Sequence, residues 1–151
     1  MDKKSKVLTN KGYVQINKIK KGDLIKTLTC GYIQVNNVGI KKIVNIVSEP
    51  HPRYQLYSID NIIITGYSSI LVDSLPGDTM DLSIDIMGSI IVTEGKYCLP
   101  VCLDYRSKIY RKRGIHSMYY LDLINNYGIF VNGLLINSGN IYEILNIKLL
   151  Y

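Results

Sequence analysis

The sequence predicts an all-β protein, and three observations predict it. Ile and Tyr, both strand formers, number 24 and 13 of the 151 residues, whereas Ala, the strongest helix former, does not occur. Short apolar runs alternate with turn residues from the first residues onward, without a helical period. An Asn-Gly pair, Asn132-Gly133, stands between Ile129-Phe130-Val131 and Leu134-Leu135-Ile136, the strongest short-range signal for a hairpin.

Taken in order, Lys6 to Thr9 reads as a strand, Asn10-Lys11-Gly12 as a tight turn, and Tyr13 to Ile16 as the returning strand. Gly22-Asp23 turns the chain into a strand over Leu24 to Thr29. Gly31 precedes Tyr32 to Val35, and Asn36-Asn37 leads into Val38 to Val47. Glu49-Pro50-His51-Pro52 interrupts the ladder, because proline lacks a donor and restricts the residue before it. Strands resume at Tyr54 to Ile59 and Ile62 to Thr65, a loop is expected around Leu75-Pro76-Gly77-Asp78, and Met87 to Thr93 and His116 to Asp122 read as strands on either side of a basic loop. In the tail, Ile141, Ile144, Leu145 and Lys148 have helical spacing, which predicts a short terminal helix. No repeat or linker divides the chain, so residues 1–151 are expected to form one unit.

Several function classes are excluded at this level. The longest apolar runs, such as Ile62-Ile63-Ile64 and Ile90-Ile91-Val92, are far short of the roughly 20 residues of a membrane helix. Met1 to Ser5 carries charge but no apolar stretch or cleavage site, so a secretory signal is not expected. Three cysteines, Cys30, Cys98 and Cys102, form no paired framework and suit an intracellular reducing compartment. The 24 Ile, 12 Asn and 13 Tyr also match AT-rich coding, as in an AT-rich microbe, a parasite or a large DNA virus.

The net charge is +6, with 18 basic and 12 acidic residues, and most of the excess lies in Lys3 to Lys26 and in Arg106 to Arg113. Within the second segment Arg106, Lys108, Arg111, Lys112 and Arg113 are candidate phosphate contacts, with Tyr105 and Tyr110 offering stacking faces. A solvated loop explains the same residues without a ligand.

Three groups of residues resemble the Hedgehog/intein, or Hint, family, and within it the stand-alone Hint-like proteins of giant DNA viruses. Val7 to Ile16 with Ile19 to Thr27 is similar to the family's opening block. Thr65-Gly66-Tyr67-Ser68-Ser69-Ile70-Leu71-Val72-Asp73 looks like the block that supplies a threonine and, three residues on, a histidine. Tyr97 to Asp104, Met118 to Leu123 and Asn126 to Leu135 resemble the closing blocks. The resemblance implies a compact all-β horseshoe. It also implies an acyl shift in which a nucleophile at the first residue attacks the preceding peptide carbonyl. Such chemistry needs a Cys or Ser at the junction, polar groups that hold the oxyanion, and an imidazole that moves protons near neutral pH.

This sequence departs from that pattern. Aligned through Val7-Leu8-Thr9, the nucleophile's position falls just before Met1. Thr65 is retained, the histidine position is Ser68, and the position where family members often show Tyr-His reads Tyr119-Tyr120. Asn137-Ser138-Gly139-Asn140 lacks the cysteine often seen there. The degenerate site is therefore Thr65, Ser68 and Tyr120.

Other candidates read as structural. His116 is four residues from Tyr120 and on a strand would share its face, but about 13 Å away; His51 reads as a loop residue. Cys98 and Cys102 offer no second pair for zinc and read as core thiols, and Cys30 lacks a neighbouring histidine. Asp23, Asp73, Asp104 and Asp122 fall at strand ends, where carboxylates cap backbone N–H groups, and Asp104 beside Arg106 reads as a local tie. No cofactor or metal is expected.

The sequence reading is a catalytically inactive Hint-like domain acting as a structural or protein-interaction module. Its expected partners are other proteins, viral structural proteins or further copies of itself, in a virion or the host cytoplasm, with no membrane. Two alternatives stand beside it: residual autoprocessing through Cys30 or a nucleophile upstream of Met1, and nucleic-acid binding through 106–113.

Overall fold

The computed structural model describes residues 1–47 and 55–139, and the regular structure among them is mostly β-strand. β1 (Lys6–Thr9) and β2 (Gly12–Gln15) form the first hairpin. Its turn is held by Thr9, whose Oγ1 accepts the Lys11 N–H at 3.0 Å and donates to the Gly12 carbonyl at 2.8 Å. β3 (Leu24–Lys26) and β4 (Tyr32–Gln34) follow, and then the long β5 (Asn37–Asn45). β6 (Leu56–Ile59), β7 (Ile62–Thr65) and β8 (Ser69–Val72) lead to a helix, α1 (Thr79–Met87). β9 (Val92–Thr93), β10 (Lys96–Pro100), β11 (Lys108–Ile109), β12 (Gly114–Asp122), β13 (Gly128–Val131) and β14 (Leu134–Asn137) complete the order.

The strands make three sheets. The largest runs β4-β3-β1-β13-β14-β8-β10-β9, with β2 paired to β1. A second has the order β11-β6-β7, and β5 and β12 form a two-stranded ribbon in register from Asn37↔Asp122 to Asn45↔Gly114. The β13–β14 turn is Asn132-Gly133, with φ of 49° and 82°. These are the two positive φ values that a type I′ turn requires. Asn132 also accepts the Lys6 N–H on its Oδ1 at 2.9 Å, tying the hairpin to β1.

Alternation along each strand sends one set of side chains inward. Val7, Ile16, Ile25, Val131, Ile129, Ile136, Ile59, Ile62 and Ile64 meet in one core and are essentially inaccessible to water. Each such side chain contributes about 1.5–3 kcal/mol. Among the described residues no helix is long and apolar enough to cross a membrane.

The structure differs from the sequence reading in four places. Residues 79–87 are helical, where a loop followed by a strand from Met87 was expected, and the strand there is confined to Val92–Thr93. Ser83 and Met87, one turn apart, are the buried positions, and Met87 packs against Leu71 and Cys98. Tertiary burial therefore decides a segment whose local preference is weak, and Gly88 ends it with φ 82° in the left-handed region. β3 stops at Lys26 rather than Thr29, since Thr27 Oγ1 turns to the Gly31 carbonyl at 2.7 Å. β8 and β10, paired from Ser69↔Pro100 to Val72↔Tyr97, lie in segments whose strands the sequence periodicity did not identify. The expected basic loop contains β11, paired to β6. His51, Tyr54 and the expected terminal helix lie outside the described residues.

Candidate functional site

β7 ends at Thr65 and β8 begins at Ser69, so Gly66, Tyr67 and Ser68 make the turn between two buried strands. Ser68 N–H donates to the Thr65 carbonyl at 3.1 Å, and the Thr65 and Ser68 hydroxyls are 2.8 Å apart. Backbone bonds from Val101 to Ser68, at 2.7 Å, and from Cys102 to Gly66, at 3.2 Å, hold the turn from beneath. The hydroxyl pair is thus fixed at the rim of a cavity of about 70 Å³.

The other walls come from distant parts of the chain. β12 supplies Met118, Tyr119, Tyr120 and Leu121; β14 and the residues after it supply Ile136, Asn137, Ser138 and Gly139. Tyr120 lies against Gly39 so closely that a Cβ at Gly39 would stand 2.0 Å from its Cζ. The Lys41 ammonium is 5.8 Å from the Tyr120 ring centre. Met1 also lines the cavity and exchanges two bonds with Tyr119. Its amine donates to the Tyr119 carbonyl at 2.9 Å, and the Tyr119 N–H donates to the Met1 carbonyl at 2.6 Å. Burial pushes the Met1 amine down to about 5, against the opposing pull of Asp2.

Asn137 is 5% exposed, and its Nδ2 has no hydrogen-bond partner among the described residues. Its Oδ1 accepts the Gly139 N–H at 3.4 Å. The walls therefore combine hydroxyls, a buried amide donor and the Ile64, Ile129 and Ile136 side chains. Such a surface can hold a small polar group by hydrogen bonds. No imidazole or thiol is among the described residues that line it.

The structure brings Thr65, Ser68 and Tyr120 together in this cavity. Met1 and Asn137, to which the sequence reading assigned no role, stand with them. The available signal for Asn137 was its place in Asn137-Ser138-Gly139-Asn140, where the resemblance leads one to look for a cysteine. His116 is elsewhere: its Nε2 is 2.8 Å from the Lys112 carbonyl and its ring meets Tyr110 edge-on at 5.5 Å. Cys30 is exposed at the β3–β4 turn, Cys98 is buried and Cys102 half-buried, all as free thiols. Burial raises the Cys98 thiol, partly opposed by Thr93, which disfavours a thiolate. Among the described residues no group of three or more His, Cys, Asp or Glu is placed to hold a metal.

The basic segment divides. Arg106 is committed to Asp104 through Nε at 3.0 Å, Nη2 at 2.7 Å and its backbone N–H at 2.9 Å. Burial raises the Asp104 carboxyl, but the Arg106 hydrogen bonds and charge outweigh it and hold it below the usual range. Lys108 begins β11 and is exposed, as are Arg111, Lys112 and Arg113, and Lys112 lines a separate groove with Lys3 and Lys4.

Comparison with solved structures finds the gp41-1 intein, 18% identical, with a TM-score of 0.46 over 89% of this chain and 94% of that one. The MchDnaB-1 intein is 10% identical, with a TM-score of 0.47 over 91% of this chain and 98% of that one. No protein-family model matches the sequence, and no curated protein matches it.

Proposed function

We propose that the chain is a Hint-type domain that has lost autoprocessing and acts as a protein-interaction module. One observation carries this reading: Thr65, Ser68 and Tyr120, assigned from separate blocks of sequence, meet around one cavity with Met1 at its edge. That convergence is what an autoprocessing site requires, since the junction must lie beside the groups that act on it. Its chemistry is depleted. A serine hydroxyl at position 68 cannot shuttle a proton near pH 7, and the described residues of the lining offer the Thr65–Ser68 pair no imidazole or carboxylate to deprotonate it. The Met1 amine is a weak base there, and only when Met1 carries a free amine. Cys30, the alternative nucleophile, does not line the cavity.

An interaction role is supported by what the ribbon presents to solvent. Ile40, Val44 and Ile115 are all more than half exposed, with Val44 directly opposite Ile115. The Val44–Ile115 pair puts two exposed apolar side chains side by side, which offers a partner an apolar contact. We place the module among structural or virion-associated proteins of a large DNA virus on composition and sequence resemblance.

The test is the intact mass of the full chain with a short reporter peptide fused ahead of Met1, incubated with and without a thiol or hydroxylamine. An uncleaved mass in both conditions is the expected result. Cleavage at the junction overturns the loss of autoprocessing and directs attention to a nucleophile supplied from upstream.

A further inference from the structure

Beside β12 lies a second groove, about 640 Å³ in volume, that the cavity above does not include. The bonds between Met1 and Tyr119 show which backbone groups of β12 face away from β5. Because Tyr119 exchanges both backbone bonds with Met1, its N–H and C=O point away from β5. In an antiparallel ladder that direction repeats every second residue. The N–H and C=O of Ser117 and Ile115 therefore point the same way, into the groove, and neither residue has a backbone partner on that side among the described residues. Met1-Asp2 fills the first position on this edge and then leaves it, as Asp2 pairs with Ile63 of β7. Among the described residues the next two positions are open.

The groove is also charged with one sign. Lys3, Lys4 and Lys112, all exposed, line it, although the two segments that supply them are over a hundred residues apart in sequence. The carboxylate beside them, Asp2, is already engaged by the Ser5 hydroxyl at 2.8 Å and the Ile63 N–H at 3.1 Å. Ile115, 69% exposed, adds an apolar contact.

We infer that the Ile115–Ser117 edge of β12 takes an extended, acidic segment of a partner protein as an added strand. This deepens the interaction-module reading and rests on it. Alternating N–H donors and C=O acceptors match a peptide backbone, whereas a phosphate backbone supplies acceptors alone and would face the two carbonyls unfavourably. Lysines at the rim favour carboxylates on the incoming strand, and the chain's own charge of +6 works against a second copy in the same place.

The probe is a fluorescent peptide, Thr-Glu-Val-Glu-Thr-Glu-Val-Glu, tested against the full chain beside the same peptide N-methylated at alternate residues and a single-stranded oligonucleotide of equal charge. The unmodified peptide is expected to bind and to shift and protect the Ile115 and Ser117 amides by NMR. N-methylation and the double variant Lys4→Glu/Lys112→Glu, with unchanged circular dichroism, are each expected to weaken binding about tenfold or more. Equal binding of the N-methylated peptide, tighter binding of the oligonucleotide, or no protection at the two amides overturns the inference. The fusion-mass experiment does not depend on this groove, so failure here leaves the loss of autoprocessing standing.

Discussion

Glu94 joins three parts of the large sheet through one carboxylate. Its Oε1 accepts the Thr29 N–H at 2.8 Å and the Thr29 hydroxyl at 2.7 Å, and its Oε2 accepts the Gly128 N–H at 2.5 Å. Burial raises the carboxyl, but the bonds from Thr29, Gly128 and Cys30 outweigh it and hold it below the usual carboxylate range. A depressed folded value means that the unfolded chain binds the proton more readily. The stabilisation is therefore fully present above the unfolded range, about 4.3, and is lost as pH falls through the folded value. Glu94→Gln is expected to lower stability by about 1–2 kcal/mol at pH 7. The deficit should shrink below about pH 4, as urea titrations at the two pH values would show. Equal midpoints at pH 7 would remove Glu94 from this role.

At the scale of elements, the β13–β14 hairpin and the β5–β12 ribbon each depend on one backbone position. Asn132→Ala loses the bond to Lys6 and places a Cβ-bearing residue without a local hydrogen bond at φ 49°, so a loss of about 1–2 kcal/mol is expected from thermal or urea unfolding. Asn132→Gly relieves the backbone term and should cost less. In the ribbon, Gly39→Ala would drive the Tyr120 ring out of its place, because the added Cβ overlaps Cζ and the hydroxyl. The expected cost of about 1–3 kcal/mol should largely vanish in the Tyr120→Ala background. A double-mutant cycle reads that coupling directly, and additive effects would show that the ring moves freely.

At the scale of the whole molecule, the cavity exists because three sheets bring β7, β12 and β14 to one place. Met1-Asp2 bridges β12 and β7, bonding to Tyr119 on one side and Ile63 on the other. A peptide fused ahead of Met1 therefore leaves from the rim of the cavity. An uncleaved fusion would then report on the chemistry of the site rather than on a misplaced junction.

The sequence by itself determined the β-rich character, the first hairpin, the Asn132-Gly133 turn, the β5 and β12 strands and the Asp104–Arg106 tie. Each follows from side-chain period, turn chemistry or charges within a few residues, and such preferences act before distant chain segments meet. Resemblance between blocks also marked Thr65, Ser68 and Tyr120 as members of one site. Only the tertiary structure decided that 79–87 is a helix, since burial of Met87 against Leu71 and Cys98 supplies what local propensity lacks. It alone placed Met1 and Asn137 with those three residues and set Lys3 and Lys4 beside Lys112. These juxtapositions depend on strand pairings between residues far apart in the chain, and neither period nor spacing along a sequence records which strands will pair.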